Sequence, residues 1–233
     1  MALDQAMLDA VADGLGSVIV RTYGWTVPTL SVGYFQRVDE VDQDARFLSA
    51  PRVRRPTGGG AIWHDDELTY AVIVPAEHPL ARSSKTLYGA VHGAIVQALA
   101  VLGVRAERRG DTKVPANVYE KRPLLCFTDA DPEDIVTKGI KVVGSAQRRR
   151  RGAVLQHGSL LFGRSSCTPE LPGLCDVADE SARKHDWSNE LLDQIARALE
   201  VERVDVGVPP DIERRAIELR CDRYLNPSWT GLR

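Results

Sequence analysis

The sequence predicts an α+β fold of mixed, largely antiparallel sheets packed by helices. Short apolar runs of strand length and longer stretches of helical period both occur, so both element types are expected. They follow one another without the strand–helix alternation of a parallel α/β sheet. A chain of 233 residues, 43% hydrophobic and 27% charged, suffices for one large core, and a single domain is expected over residues 1–233.

Taken in order, Leu3, Ala6, Met7, Ala10 and Val11 share one face of a helix over residues 2–12. Residues 18–23 and 29–34 read as strands, and 41–48 as a short helix. Residues 52–55, 61–63 and 69–74 read as strands around a glycine-rich loop. The longest helix is expected over 84–102, where Leu87, Val91, Ile95, Ala98 and Leu102 recur at helical spacing. Residues 134–138 and 141–145 read as strands joined by a turn at Gly139, and 153–162 continues the sheet. Residues 177–220 read as mainly helical, interrupted by a strand near 201–206 and by Pro209-Pro210.

A net charge of -2 argues against a general nucleic-acid binder. No stretch approaches the ~18 apolar residues that span a bilayer. The first residues lack a basic region followed by an apolar core, so no signal peptide is read and a cytoplasmic location is expected. The four cysteines, Cys126, Cys167, Cys175 and Cys221, contain no Cys-x-x-Cys, so they read as free thiols and no metal site is expected.

The segment Arg54-Arg55-Pro56-Thr57-Gly58-Gly59-Gly60-Ala61-Ile62-Trp63-His64-Asp65 sets three glycines between an arginine pair and a His-Asp pair. Glycines let a backbone pass close to a small ligand. No Gly-Lys-Ser/Thr follows, and the spacing is not Gly-x-Gly-x-x-Gly, so neither a P-loop nor a dinucleotide site is read. On this segment alone, a tight hairpin turn is an equal reading. Two later segments add weight: Lys141-Val142-Val143-Gly144-Ser145-Ala146-Gln147 and Gln156-His157-Gly158-Ser159-Leu160-Leu161.

With their order and spacing, the three segments resemble the lipoate–protein ligase and octanoyltransferase family. Lesser matches add to the resemblance, among them Met1 to Ala6, Tyr23-Gly24-Trp25 and Glu67-Leu68-Thr69-Tyr70, and it runs to about Leu171. It implies a core of two sheets packed by helices. Relatives carry a strand before the first helix, so the resemblance also implies a sheet edge left unpaired here. It implies that Lys141 contacts the acyl carbonyl and that Arg55, Gly58, Gly59 and Gly60 form the loop over the acyl group. Gly144, Ser145 and Ala146 would line the acyl tunnel, with His64, His157 and Gly158 at the pocket; a buried structural histidine is an equal reading for His64 and His157. Asp65 would orient a neighbour.

The branch is read from Cys126, in Leu124-Leu125-Cys126-Phe127-Thr128-Asp129. The ligases of the family carry an Arg-Asn-Asp-like stretch before the lysine motif, and this chain has none. The resemblance therefore implies an octanoyltransferase in which Cys126 carries the acyl group, with the Lys141 ammonium favouring the thiolate. A buried strand cysteine is the plainer reading. The implied donor is octanoyl acyl carrier protein, and the acceptors are lipoyl domains of 2-oxoacid dehydrogenases or the glycine cleavage H protein. No cofactor is expected; ATP and magnesium enter only if the chain is instead a lipoate–protein ligase. The resemblance also leaves room for a lipoyl-domain amidotransferase and for a non-catalytic acyl-binding subunit. A monomer is expected, without nucleic-acid or membrane partners. The run Arg148 to Arg151 is expected at a hairpin tip, where it either steers an acidic carrier or is a solvated turn.

Overall fold

Continuous burial in the middle of the chain dictates the architecture. In a computed structural model that describes residues 1–112, 123–179, 182 and 185–232, strand β5 (Glu67–Pro75) is almost wholly buried. Its Ala71 and Ile73 face one apolar cluster and its Tyr70, Val72 and Val74 another. A strand covered on both faces reads as a continuous apolar run, which is why residues 69–74 show no polar alternation.

The remaining strands assemble around β5. They are β1 (Ile19–Tyr23), β6 (Glu107–Arg108), β7 (Ile135–Thr137), β8 (Ile140–Arg150) and β9 (Ala153–Leu161). With β5 they form a six-stranded sheet in the order β1-β5-β9-β8-β7-β6, every pair antiparallel, with β1 at one edge. A second sheet, in the order β3-β2-β4, joins β2 (Thr29–Val32) to β3 (Arg52–Arg54) in parallel and to β4 (Ile62–His64) antiparallel.

Helices cover both faces of the large sheet. Helix α1 (Ala2–Ala12) lies on the Ala71/Ile73 side, and α2 (Val38–Asp42) caps the small sheet. Helix α3 (Ser84–Val101) packs on the opposite side and begins at Ser83, whose hydroxyl accepts from the Thr86 backbone N–H in a capping box. A short helix α4 (Leu174–Val177) precedes α5 (Trp187–Ala198), which packs beside α3. Helix α6 (Pro210–Leu219) lies over α1, and α7 (Pro227–Thr230) closes the described chain.

The predicted mixed fold and its largely antiparallel sheets are observed. Three local expectations need correction. Residues 201–206 are not a strand: they form no regular element, and Val204 and Val206 are 70% and 78% exposed. Their period-2 pattern has no neighbouring strand to pair with among the described residues. The helix expected over 41–48 is α2 followed by a separate 3₁₀ turn at Ala45–Phe47. The apolar face of α1 is wider than its periodicity implied, because Leu8 and Asp4 are fully buried. Leu8 shares its apolar cluster with Ile212 and Leu219 of α6, and Asp4 is held by Arg21 and Tyr23 of β1. Part of the tract 177–220, at 180, 181, 183 and 184, falls outside the described residues.

Candidate active site

The glycine loop between β3 and β4 packs against the segment that carries Cys126. The backbone N–H of Ala61 donates to Leu124 O (2.8 Å) and that of Cys126 donates to Ala61 O (2.8 Å). Gly60 permits the approach: a Cβ there would lie 2.8 Å from Leu124 O and 3.0 Å from Cys126 N. Gly59 holds φ +93°, a left-handed conformation that glycine adopts without strain. Cys126 then opens a 3₁₀ turn, Cys126–Thr128, and is half-buried rather than sealed in a strand.

Lys141, buried on β8, reaches the same turn. Its Nζ donates to Cys126 O (2.9 Å) and Asp129 O (3.3 Å) and pairs with Asp134 Oδ1 (2.8 Å). All three ammonium hydrogens are thus engaged, and the charge is matched by a carboxylate. Burial pushes the Asp134 carboxyl up, and Lys141 opposes that shift. Lys141 fixes the backbone under Cys126; to meet an acyl carbonyl it has to release a partner, and the bond to Asp129 O is the longest.

Cys126 stands between two cavities. One, of about 40 Å³, is lined by Arg55, Gly58, Gly59, His64, Gly144, Ser145, Ala146, His157 and Gly158, so the structure brings together these predicted pocket residues. Gly60 is held just behind, against Leu124 and Leu125. The other cavity, of about 280 Å³, lies beyond Cys126 and is lined by Lys141, Tyr88, His92 and the carboxylates of Asp129, Asp131, Glu133 and Asp134.

Buried polar chains hold the walls. Arg55 Nη1 donates to Ser31 Oγ (3.1 Å), which is 2.7 Å from His64 Nε2, while His64 Nδ1 is 2.8 Å from Glu67 Oε1. His64 also stacks on Trp25 at 4.1 Å. His157 Nε2 meets Thr57 Oγ1 at 2.6 Å, and burial pushes its imidazole down to about 3, with Asp4 opposing and Arg55 adding to the shift. His64 bridges β2 and β5, and His157 ties β9 to the glycine loop. Arg54 points the other way, donating to Gly33 O (2.6 Å), Gln36 O (2.8 Å) and Thr230 O (2.8 Å), and so ties the loop after β2 to the chain end. Asp65 accepts from Ser165 Oγ (2.7 Å), an orienting contact away from Cys126. Three of the four clustered arginines have partners in the fold: Arg148 with Pro56 O, Arg149 with Ala81 O and Arg150 with Asp9.

Sequence reasoning missed the hub around Ser145. His92 Nδ1–H donates to Glu133 O, so Nε2 accepts from Ser145 Oγ (2.7 Å) and the Tyr70 hydroxyl donates to Ser145. Tyr88 OH donates to Ser145 O (3.2 Å). Burial pushes His92 down to about 4, with the Glu133 carbonyl bond opposing. The signal was present: Tyr88 and His92, four apart on α3, each follow a core residue of the apolar stripe.

Gly158 limits this wall most tightly. A Cβ there would lie 2.5 Å from Gly144 O and from Ser145 Oγ, and 2.8 Å from the Tyr70 ring. Gly158→Ala is therefore expected to destabilise the protein by about 1–3 kcal/mol, read as a lower urea midpoint at unchanged slope. An unchanged midpoint would show that β8 and β9 separate easily here.

A family model described as the lipoyl protein ligase A/B catalytic domain matches residues 1–180. The octanoyltransferase LipM of Anoxybacillus flavithermus is 41% identical over 173 residues, which cover 70% of this chain and 60% of that protein. The chain thus spans about three-fifths of the length of the curated relatives it matches. The solved structure of a lipoate-protein ligase A bound with ATP is 24% identical, with a TM-score of 0.75 over 100% of this chain and 93% of that one. A bipartite lipoate protein ligase from Thermoplasma acidophilum, solved in a study that includes its E2 lipoyl domain, is 20% identical with a TM-score of 0.71, over 100% of this chain and 91% of that one. These two likenesses concern the fold.

Proposed function

The chain belongs to the lipoyl protein ligase A/B catalytic-domain family, and from that premise we propose that it is an octanoyltransferase working through an acyl-thioester on Cys126. The observation that carries this reading is the place of Cys126, its backbone pinned from both sides and its residue lining both cavities. The Cys126 thiolate attacks the carbonyl carbon of an octanoyl thioester on an acyl carrier protein. The carrier's C–S bond breaks, and its thiolate leaves and takes up a proton. The neutral ε-amine of a lysine on a lipoyl domain then attacks the acyl-enzyme. Its N–C bond forms as the Cys126 C–S bond breaks, and the amine's surplus proton passes to solvent. The two half-reactions share one intermediate, so ping-pong kinetics follow.

The two cavities suit the two halves of this reaction. Glycines and the Ser145-Ala146 backbone flank the space where the acyl chain lies. Among the described residues, the lining of the wider cavity sets Asp129, Asp131, Glu133 and Asp134 against the cation Lys141, a balance that favours an entering ammonium and opposes a triphosphate. A thioester donor drives amide formation without ATP, so no cofactor is proposed. The acceptors proposed are lipoyl domains of 2-oxoacid dehydrogenases or the glycine cleavage H protein. We assign the activity to one domain over residues 1–233, acting as a monomer.

The test is intact-protein mass spectrometry after mixing with octanoyl acyl carrier protein without ATP. One octanoyl adduct is expected on the wild type, removed by hydroxylamine and absent from Cys126→Ala. No adduct on the wild type, with a lipoyl-adenylate bound after ATP, magnesium and lipoate are supplied, would overturn the transferase in favour of a ligase.

A further inference from the structure

Arg55 is a buried cation with an unusual set of partners. It is 2% exposed, yet its hydrogen bonds go to neutral acceptors: Ser31 O (3.0 Å) and Oγ (3.1 Å), Gly58 O (2.8 Å) and Gly60 O (2.6 Å). Its Nε is buried with no hydrogen-bond partner. Among the described residues no carboxylate pairs with it; Glu67 is reached only through Ser31 and His64. An uncompensated buried guanidinium is costly, so a counter-charge is to be sought nearby.

Among the described residues there is one candidate. A Cβ placed on Gly59 would lie 3.0 Å from Arg55 Nη2 and 3.6 Å from Cys126 Sγ, so the guanidinium and the sulfur flank the same side-chain-free gap. Both residues line the narrow cavity. Lys141, the cation expected to serve the thiol, pairs with Asp134 (2.8 Å) and donates to the Cys126 carbonyl (2.9 Å).

We infer that Arg55 is the charge partner of the Cys126 sulfur whenever that sulfur is negative, across the gap left by Gly59. This rests on the reading of Cys126 as the acyl carrier. Burial depresses the Arg55 guanidinium, and a negative Cys126 is the group that opposes that shift. Once Cys126 is acylated its charge is gone and Arg55 is left without a counter-ion. The guanidinium therefore favours return of the thiolate as leaving group in the second half-reaction. Arg55 is thus a positioning residue that balances charge whenever the sulfur is negative.

Two measurements test this, and neither uses an acyl donor, so their outcome is separate from that of the octanoyl-adduct experiment. The first is the rate of iodoacetamide alkylation at Cys126 at pH 7, in which the thiolate displaces iodide, with exposed Cys221 of the same molecule as reference. Arg55→Gln is expected to slow Cys126 about tenfold relative to Cys221, and Arg55→Lys, which keeps the charge, to stay within about threefold of the wild type. Equal rates in a folded Arg55→Gln would overturn the assignment. The second covers the case in which Arg55→Gln fails to fold. Cys126→Asp puts a fixed negative charge at the position and Cys126→Asn an isosteric neutral group. The aspartate variant is expected to melt several degrees higher, and an equal or lower melting temperature would overturn the proposal.

Discussion

Lys141→Met is expected to lower octanoyl transfer by about 10²–10⁴-fold and to destabilise the protein by about 3–5 kcal/mol, and the two losses separate in a double variant. The single substitution takes from buried Asp134 its partner at 2.8 Å and leaves it, among the described residues, with Arg109 at 3.7 Å. It also frees Cys126 O and Asp129 O from the amine that gathers the turn. Lys141→Met/Asp134→Asn removes the stranded charge, so most of the stability is expected to return. Transfer is not expected to return, because the turn under the nucleophile still lacks its tether and the acyl carbonyl its cation. Denaturation midpoints and single-turnover transfer rates on the wild type and both variants decide the matter. Recovery of transfer in the double variant would mean that Lys141 acts only by neutralising Asp134.

How much of this was legible in the sequence depends on what each residue answers to. The long strands and helices were readable because their burial is set by local periodicity, as in α3, whose stripe of Leu87, Val91, Ile95 and Ala98 is buried as expected. The pocket residues were readable because Gly58, His64, Gly144 and His157 sit in distinctive runs that the topology brings to one cavity. Partner choice was not readable. Lys141 was expected to serve the thiol, but Asp134, placed beside it by the β7–β8 hairpin, claims its charge. Arg54 and Arg55 are adjacent in sequence, yet one grips the chain end and the other the glycine loop, because successive side chains along extended backbone point to opposite sides. The valines near 201–206 show the converse failure, a strand pattern to which the fold gives no neighbour.

Stability is expected to fall by about 4 kcal/mol between pH 7 and pH 5, through two buried histidines beside the pocket. Burial pushes His92 down to about 4 and His157 to about 3 from an ordinary value of 6.5. Above that ordinary value both states hold neutral imidazoles and the histidines impose no pH dependence. Below it the unfolded chain takes up two protons that the folded chain refuses, so the folded state loses ground as pH falls. The loss per histidine is about 2 kcal/mol by pH 5 and grows until the folded values are reached. Asp4, whose carboxyl is held below its ordinary 3.8 despite burial by the N-terminal amine and Arg21, acts in the same direction but only at lower pH, so it leaves this window clear. Urea denaturation at half-unit intervals from pH 7.5 to 4.5 reads the slope. His92→Gln and His157→Gln are each expected to remove about half of it, whatever they cost in stability at pH 7. Burial keeps both histidines neutral, and at His92 the hydrogen bonds fix one neutral tautomer. Protonated His92 would aim a second N–H at Ser145 Oγ, and Ser145 would have to reverse its bonds to both His92 and Tyr70. A flat stability profile from pH 7 to 5 would show that this hub re-forms with a charged imidazole, and that the wall shared by both cavities is softer than its burial implies.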